Sequence, residues 1–178
     1  MSNIPQQIVV FDTETTGVDL ENDRIVQAFV GLVDINDGMI YEREWIINPG
    51  ISIPDEAASV HGITNEIARR DGIDSILCIG DIANLIEHLS LENDNAPLAI
   101  YNASFDLTIL DRELRRCGDD LLETPKVIDP LVIDRAIDKW RKGSRKQVDV
   151  ARHYGIEVDE SKAHDAAYDC YLVGQIAF

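Results

Sequence analysis

The segment QIVVFDTE at residues 7–14 restricts the possible folds more than any other part of the chain. Residues 8–11 are all apolar, so a β-strand through them presents apolar side chains on both faces. A strand of this kind lies in the interior of a sheet that is covered on both sides. The run then becomes acidic at Asp12 and Glu14, which predicts that charged side chains project from the end of a buried strand.

The remaining patterns predict further strands and several helices. Strands are predicted over residues 25–34, 39–47, 98–101 and 126–128, and helices over 54–60, 79–91, 104–116, 131–140, 147–153 and 166–177. Ser104 is the predicted N-cap of the third of these helices. No internal repeat or low-complexity linker separates the elements. Their order indicates one domain of the α/β or layered α+β class, with a mixed central β-sheet flanked by helices.

Composition argues against several classes of protein. Of the 178 residues, 45% are hydrophobic, enough to bury a substantial core. Because the apolar runs are too short to cross a bilayer and MSNIPQQ does not resemble a signal peptide, we expect no membrane association and a cytoplasmic location. The three cysteines, Cys78, Cys117 and Cys170, are widely spaced, which argues against a disulfide framework and against a zinc site.

The formal net charge of −17 is unusual for a protein that holds a nucleic acid by its phosphates. The basic residues are unevenly distributed, however, since six of the sixteen Lys and Arg lie in RAIDKWRKGSRK, residues 135–146. Such a run is usually a solvated loop or helix face. It becomes a candidate phosphate-binding segment only if a site that acts on phosphates lies near it in the fold.

Asp12 and Glu14 are two residues apart on a predicted strand, so their carboxylates point to the same face. Two like charges at that distance repel each other unless a cation lies between them. The following Thr15-Thr16-Gly17 predicts a tight turn at the end of the strand, in which the backbone could approach a ligand. The ordinary alternative is a pair of solvated acids in a loop, which the specific run FDTETTG disfavours.

Two further acids and a histidine allow either a chemical or a structural role. Asp106 lies in the first turn of a predicted helix, where its ordinary role is to complement the helix dipole. Asp169 lies in the last predicted helix, and Asp165, four residues before it, lies on the same face. The ordinary alternative for this pair is a solvated acidic stripe. His164 precedes that helix, and a histidine can accept a proton from water near neutral pH. The ordinary alternative for His164 is a surface histidine without a chemical role.

Three motifs in order resemble those of the DEDDh branch of the DnaQ-like 3′–5′ exonucleases, a family that includes the proofreading epsilon subunits of bacterial DNA polymerase III. They are FDTETTG at 11–17, YNASFD at 101–106 and HDAAYD at 164–169. The segment HGIT at 61–64 also resembles a family feature near the 3′ end of the substrate, and Asp129 resembles a recurrent supporting acid, although Pro130 replaces the more usual Thr. The resemblance extends from about residue 8 to residue 177.

This resemblance implies an RNase H-like fold and a two-metal hydrolysis that releases nucleoside 5′-monophosphates. Asp12, Glu14, Asp106 and Asp169 would bind two divalent cations, Mg²⁺ or Mn²⁺, which in such sites lie roughly 3.5–4 Å apart. Asp12 would bridge the ions, Glu14 and Asp169 would complete the nucleophile-side ion, and Asp106 would help to hold the second. His164 would be the general base.

The resemblance also implies contacts to a nucleic-acid 3′ end, with single-stranded DNA as the expected substrate and a DNA polymerase or repair complex as a candidate partner. The expected substrate-binding residues are Thr15, Thr16, Gly17, His61 and Phe105, with Arg141, Lys142, Arg145 and Lys146 from the basic run. A 3′–5′ exoribonuclease of the same family and a non-catalytic nucleic-acid or polymerase-binding module are the alternatives. Because the last helix reaches Phe178 without a stop signal, we expect residues 1–178 to be a single exonuclease domain that could be the N-terminal part of a longer natural chain.

Overall fold

The computed structural model describes residues 5–123, 125–159, 161 and 165–178. Its strands are β1 (Gln7–Thr15), β2 (Ile25–Asp34), β3 (Gly38–Asn48), β4 (Ile73–Asp74), β5 (Leu98–Ala99) and β6 (Val127–Ile128). Its helices are α1 (Asp55–His61), α2 (Asn65–Asp71), α3 (Ser75–Glu92), α4 (Ala103–Cys117), α5 (Pro130–Ile137), α6 (Gln147–His153) and α7 (Ala166–Ala177).

The six strands form one mixed sheet in the order β4-β3-β2-β1-β5-β6. Strands β1, β2 and β3 are antiparallel neighbours, whereas β5 is parallel to β1 and β6 is parallel to β5. Strand β1 therefore lies inside the sheet, and residues 8–11 are fully buried, as the run of apolar residues predicted. The mixed sheet flanked by helices confirms the predicted fold class.

Alternation along β1 distributes its side chains between two cores. Val9 and Phe11 pack with α3 and α4 on one face of the sheet. Ile8 and Val10 pack on the other face against α7, which contributes Ala166, Cys170 and Val173 to that core. Because side chains alternate along a strand, Asp12 and Glu14 follow Ile8 and Val10 onto the α7 face.

The structure corrects three local predictions. Helix α2 and strand β4 were not predicted, because α2 buries only Ala68 among its residues and β4 has two exposed residues, so neither has a periodic apolar pattern. The N-cap of α4 is Asn102, not Ser104. The Ser104 prediction was wrong because the first N–H groups of α4 are satisfied by a carboxylate from another part of the chain, described below.

None of the helices within the described residues combines the length and the hydropathy that a membrane span requires.

Candidate active site

The site forms where β1 extends past its neighbour β5. Strand β5 pairs with β1 only at Val9 and Val10, so the edge of β1 beyond Val10 has no strand partner on that side. On the opposite side β1 continues to pair with β2, with Asp12 opposite Phe29 and Glu14 opposite Gln27. The two carboxylates are thus held at the end of a buried strand by a ladder that fixes their direction.

Helix α7 brings a third carboxylate to the same place. Single carboxylate oxygens of Asp12, Glu14 and Asp169 all lie within 4.8 Å of one another. Asp165 caps the helix, because its Oδ1 accepts a hydrogen bond of 3.0 Å from Tyr168 N, and Asp169 follows in the first turn. The small residue Ala166, fully buried against the sheet, allows the start of α7 to approach β1 closely.

Asp106 is fixed on the open edge of β1 by Thr13. Val9 N donates to Pro97 O on the β5 side of the strand, so the N–H of Thr13, four residues on, faces the same side. There Asp106 Oδ1 accepts hydrogen bonds from Thr13 N at 3.1 Å and Thr13 Oγ1 at 2.6 Å. Asp106 is 5% exposed and lines the same cleft as the other three carboxylates.

Asp129 positions the helix that carries Asp106. Its Oδ1 accepts from Asn102 N and Leu131 N, and its Oδ2 accepts from Ala103 N. One carboxylate therefore caps the N-termini of both α4 and α5, and it stabilises Asn102 in a left-handed conformation (φ 61°). The supporting role expected for Asp129 is a structural one.

Burial and crowding raise the pKa values of the acids in the cleft. Burial and the charges of Asp169, Asp106 and Asp165 raise the pKa of Glu14 to about 8. Burial, followed by the charges of its acidic neighbours, raises the pKa of Asp12 well above its usual range. Burial also raises the pKa of Asp106 to about 7, although its hydrogen bonds from Thr13 act in the opposite direction. Within the part of the chain described, no basic side chain lies within ion-pair distance of Asp12 or Glu14.

The carboxylates line a cleft of about 650 Å³. Its wall includes the expected residues Phe105 and Lys146, together with Tyr101, Asn102, Arg135 and Gln147, which the sequence did not single out. Arg135 opens the basic run and lies in the last turn of α5, and Tyr101 opens the motif YNASFD, so the sequence could have indicated both. Cations and aromatic side chains thus border an acidic centre.

Residues 15–17 form a turn between Glu14 and Val18, which both line the cleft, but are not themselves among the described cleft-lining residues. Thr16 is buried, its Oγ1 donates to Asp23 Oδ1 at 2.7 Å, and its N–H donates to Arg24 O. Thr15 Oγ1 donates to Gly17 O at 2.6 Å. The N–H and the hydroxyl of Thr16 are therefore already hydrogen-bonded within the turn, and contact of residues 15–17 with a nucleotide stays a prediction.

The segment HGIT at 61–64 forms the connection between α1 and α2. Gly62 ends α1 with a positive φ of 79°, and Thr64 caps α2. His61 Nδ1 accepts a hydrogen bond from Ile63 N at 3.1 Å, and burial lowers the pKa of His61, although the nearby Thr15 backbone acts in the opposite direction. His61 is not among the cleft-lining residues that the structure describes, so it is placed beside the turn rather than in the cleft.

The basic run divides into two groups. Arg141 and Arg145 form ion pairs with the buried Asp134, with side chains only 13% and 15% exposed. Lys142 is exposed outside the cleft, and Lys146 lines it. Both arginines act as counter-charges to the buried Asp134, so of the four bases expected at the substrate only Lys146 is among the described residues that line the cleft. His164, the expected general base, lies outside the described residues.

Comparisons with known proteins agree with this architecture. Residues 9–177 match the family model described as an exonuclease. The DNA polymerase III subunit epsilon of Rickettsia conorii is 30% identical over 175 residues, which are 94% of this chain and 70% of that protein.

Two structures of Escherichia coli exonuclease I share the fold. One is a complex with a dT13 oligonucleotide (TM-score 0.80, 21% identity) and the other is a zinc-bound form with single-stranded DNA (TM-score 0.79, 22% identity). In both cases the match covers 97% of this chain and 40% of exonuclease I, so the present chain corresponds to less than half of that protein. The chain therefore belongs to the exonuclease family, as a 3′–5′ exonuclease domain of the hydrolase class with an RNase H-like fold.

Proposed function

We propose that this domain hydrolyses DNA from the 3′ end and releases nucleoside 5′-monophosphates with the help of two divalent cations. The observation that carries the proposal is the group formed by Asp12, Glu14 and Asp169, whose oxygens lie within 4.8 Å of one another at the end of a buried strand. Asp106 lines the same cleft. Such a group has no evident structural purpose, since it places like charges together in a partly buried position.

The donor set suits hard cations. All four side chains offer carboxylate oxygen, which Mg²⁺ and Mn²⁺ prefer, and neither thiol nor thioether lines the cleft among the described residues. Burial, and then the charges of the neighbouring acids, raise the pKa values of Glu14 and Asp12, so bound positive charge would favour their ionised forms. When bound, two divalent cations would offset this charge, polarise the scissile phosphate and lower the pKa of the attacking water.

The role that we propose for each of the four acidic residues follows from the element that holds it. Asp12 and Glu14 are fixed by the β1–β2 ladder and Asp169 by α7, so these three would hold the cations in a constant position. Asp106, fixed to Thr13 on the open edge of β1, would hold the side of the site nearest α4. These attachments would orient a phosphodiester without movement of the backbone.

We assign the general base to His164. It immediately precedes Asp165, the N-cap of the helix that carries Asp169 into the cleft, and it occupies the histidine position of the third motif. A histidine there would accept the proton of the attacking water at neutral pH.

The cleft wall suits a terminal nucleotide. Phe105 and Tyr101 offer aromatic rings, which stack on bases without regard to sequence. Arg135 and Lys146 lie on the same wall, and neither forms an ion pair with a described residue, so both are available to phosphates. The relationship to a polymerase subunit and to exonuclease I makes single-stranded DNA the first substrate to test and a DNA polymerase the first candidate partner.

A ladder assay tests the proposal. The chain is incubated with 5′-labelled single-stranded DNA, or with RNA of the same sequence, in Mg²⁺, Mn²⁺ or EDTA. We expect a stepwise ladder that requires metal and is formed faster on DNA. Faster cleavage of RNA would replace the proposed substrate with RNA, and binding without cleavage of either polymer would favour the non-catalytic module.

Lysines 142 and 146 provide a matched pair for the phosphate contacts. Lys146→Ala should raise KM for DNA and lower the slope of log KM against log salt concentration by about 1, because one phosphate contact is lost. Lys142→Ala removes an equal charge outside the cleft and should leave that slope unchanged. Equal effects of the two substitutions would mean that the run acts only through its overall charge.

A further inference from the structure

A buried ion cluster lies next to the carboxylate site. Asp134, on the buried side of α5, is only 1% exposed. Arg141 Nη2 donates to its Oδ2 at 2.6 Å, and Arg145 Nη1 donates to the same oxygen. Tyr154 Oη donates to Oδ1 at 3.1 Å. The carboxylate of Asp134 therefore accepts hydrogen bonds from two arginines and a tyrosine.

These bonds hold a stretch of chain that has no regular secondary structure. Residues 138–146 connect α5 to α6 and contain neither helix nor strand. Besides its bond to Asp134, Arg145 donates through Nη2 to Asp138 O at 2.5 Å, so the arginine ties both ends of the stretch together. The path of this connection depends on side chains rather than on a backbone ladder.

The same stretch ends in the wall of the cleft. Tyr101, which also lines the cleft, donates through Oη to Arg145 O at 2.5 Å, and the next two residues, Lys146 and Gln147, both line the cleft. Gln147 Nε2 then donates to Asp169 O at 2.5 Å. A continuous chain of bonds thus runs from Asp134 through Arg145 to Gln147 and to the backbone of Asp169.

We propose that Asp134 is a positioning residue, which anchors Arg141 and Arg145 so that Lys146 faces the substrate and Gln147 supports Asp169. The inference rests on the proposed nuclease function and adds a residue that the three motifs do not contain. Neutralising Asp134 leaves the guanidinium group of Arg145 without its counter-charge and leaves Arg141 only a longer ion pair of 3.8 Å with the more exposed Asp138. Both side chains would then move into water and release the 138–146 connection.

Asp111 supplies the matched control. It also accepts hydrogen bonds from two arginines, Arg112 and Arg115, but its side chain is 30% exposed, on α4 outside the cleft lining. Asp111→Asn therefore removes the same kind of contact without releasing the connection. Tyr154→Phe is a milder second variant, since it removes one hydrogen bond to Asp134 and retains both ion pairs.

Limited trypsin digestion of the full chain tests the anchor without any substrate. Trypsin must take the arginine side chain into its own pocket, so Arg141 and Arg145 have to leave Asp134 before cleavage. We expect Asp134→Asn to speed cleavage after these two residues by about 10-fold or more, with a smaller increase in Tyr154→Phe. The Asp111→Asn protein should match the wild type at both positions. Unchanged cleavage in Asp134→Asn would overturn the proposal.

Steady-state kinetics on single-stranded DNA test the link to the cleft. Asp134→Asn should lower kcat/KM by about 10-fold, mainly through KM. Lys146→Ala should then have no further effect in the Asp134→Asn background, because the lysine has already left its place. Additive effects, or a kcat/KM equal to that of Asp111→Asn, would show that Asp134 only stabilises the fold. A wild type that cleaves no nucleic acid would instead refute the proposed function, and the trypsin result would still decide whether the anchor exists.

Discussion

Replacing Asp12 by asparagine is expected to lower kcat on DNA by on the order of 10³-fold or more, and at the same time to raise the melting temperature of the metal-free protein. Changes to residues that merely support a metal ligand cost about 10–100-fold, and loss of a charged ligand costs more. Asp12 is one of three carboxylates whose oxygens lie within 4.8 Å of one another, so its loss leaves only two members of that group.

The gain in stability follows from the same charges. In the metal-free protein, burial of Asp12 and then the charges of Asp106, Asp169 and Glu14 raise its pKa. An amide at that position removes one member of the repelling group. We expect an increase of about 1 kcal/mol, which for a chain of this size corresponds to about 3 °C in Tm.

The two effects are measured on one pair of proteins, by the ladder assay in Mg²⁺ and by thermal denaturation in EDTA. Asp37→Asn is the control, because it removes a carboxylate from the exposed β2–β3 turn at the other end of the sheet. It should leave kcat unchanged and Tm nearly so. A stable Asp12→Asn protein that retains a tenth of the wild-type kcat would exclude Asp12 as a metal ligand.

Much of the fold could be predicted because its apolar patterns are strong and local. The run at residues 8–11 located the interior strand, and the bounds predicted for α6 and α7 agree with the structure. Asp12 and Glu14 could be placed on one face from strand alternation alone. That Asp169 joins them depended on the family motifs, since no local pattern brings residue 169 next to residue 12.

The features that the sequence did not reveal involve side chains with partners far along the chain. Asp129 caps α4 from 26 residues away through Ala103, which is why Ser104 was assigned a role it does not have. Arg141 and Arg145 looked like solvated bases because their partner, Asp134, lies on α5 and gives no sign in the sequence that it is buried. A run of basic residues in a sequence usually predicts a solvent-exposed segment. Here the burial of one acid, Asp134, makes Arg141 and Arg145 its structural ion-pair partners instead.

The second large effect concerns pH. The stability of the metal-free protein should fall as pH rises from 6.5 to 8, and Mg²⁺ should remove most of this fall. Glu14 has a pKa of about 8 in the folded protein, whereas a glutamate in an unfolded chain releases its proton near pH ~4.3. Between these values the folded state holds more protons than the unfolded chain, and its free energy of unfolding therefore decreases with rising pH.

We expect a loss of about 2 kcal/mol between pH 6.5 and 8, or about 6 °C in Tm, with the raised pKa of Asp12 acting in the same direction. The interval lies at and above the usual pKa of histidine, which limits the opposite contribution of His61 with its lowered pKa. Water in the open cleft screens the carboxylates and keeps the effect below the full linkage value.

Thermal denaturation in EDTA and in Mg²⁺ across this interval measures the effect, and Glu14→Gln is the matched variant. An amide has no proton to lose, so in EDTA this protein should show a flatter dependence on pH and should be more stable than the wild type at pH 8. The increase in wild-type Tm on adding Mg²⁺ should be larger at pH 8 than at pH 6.5, because cations bind the deprotonated carboxylates and compete with protons for them. If Mg²⁺ raises Tm equally at both pH values, the cation binds outside the Asp12–Glu14–Asp169 group, and the raised pKa values then reflect burial alone.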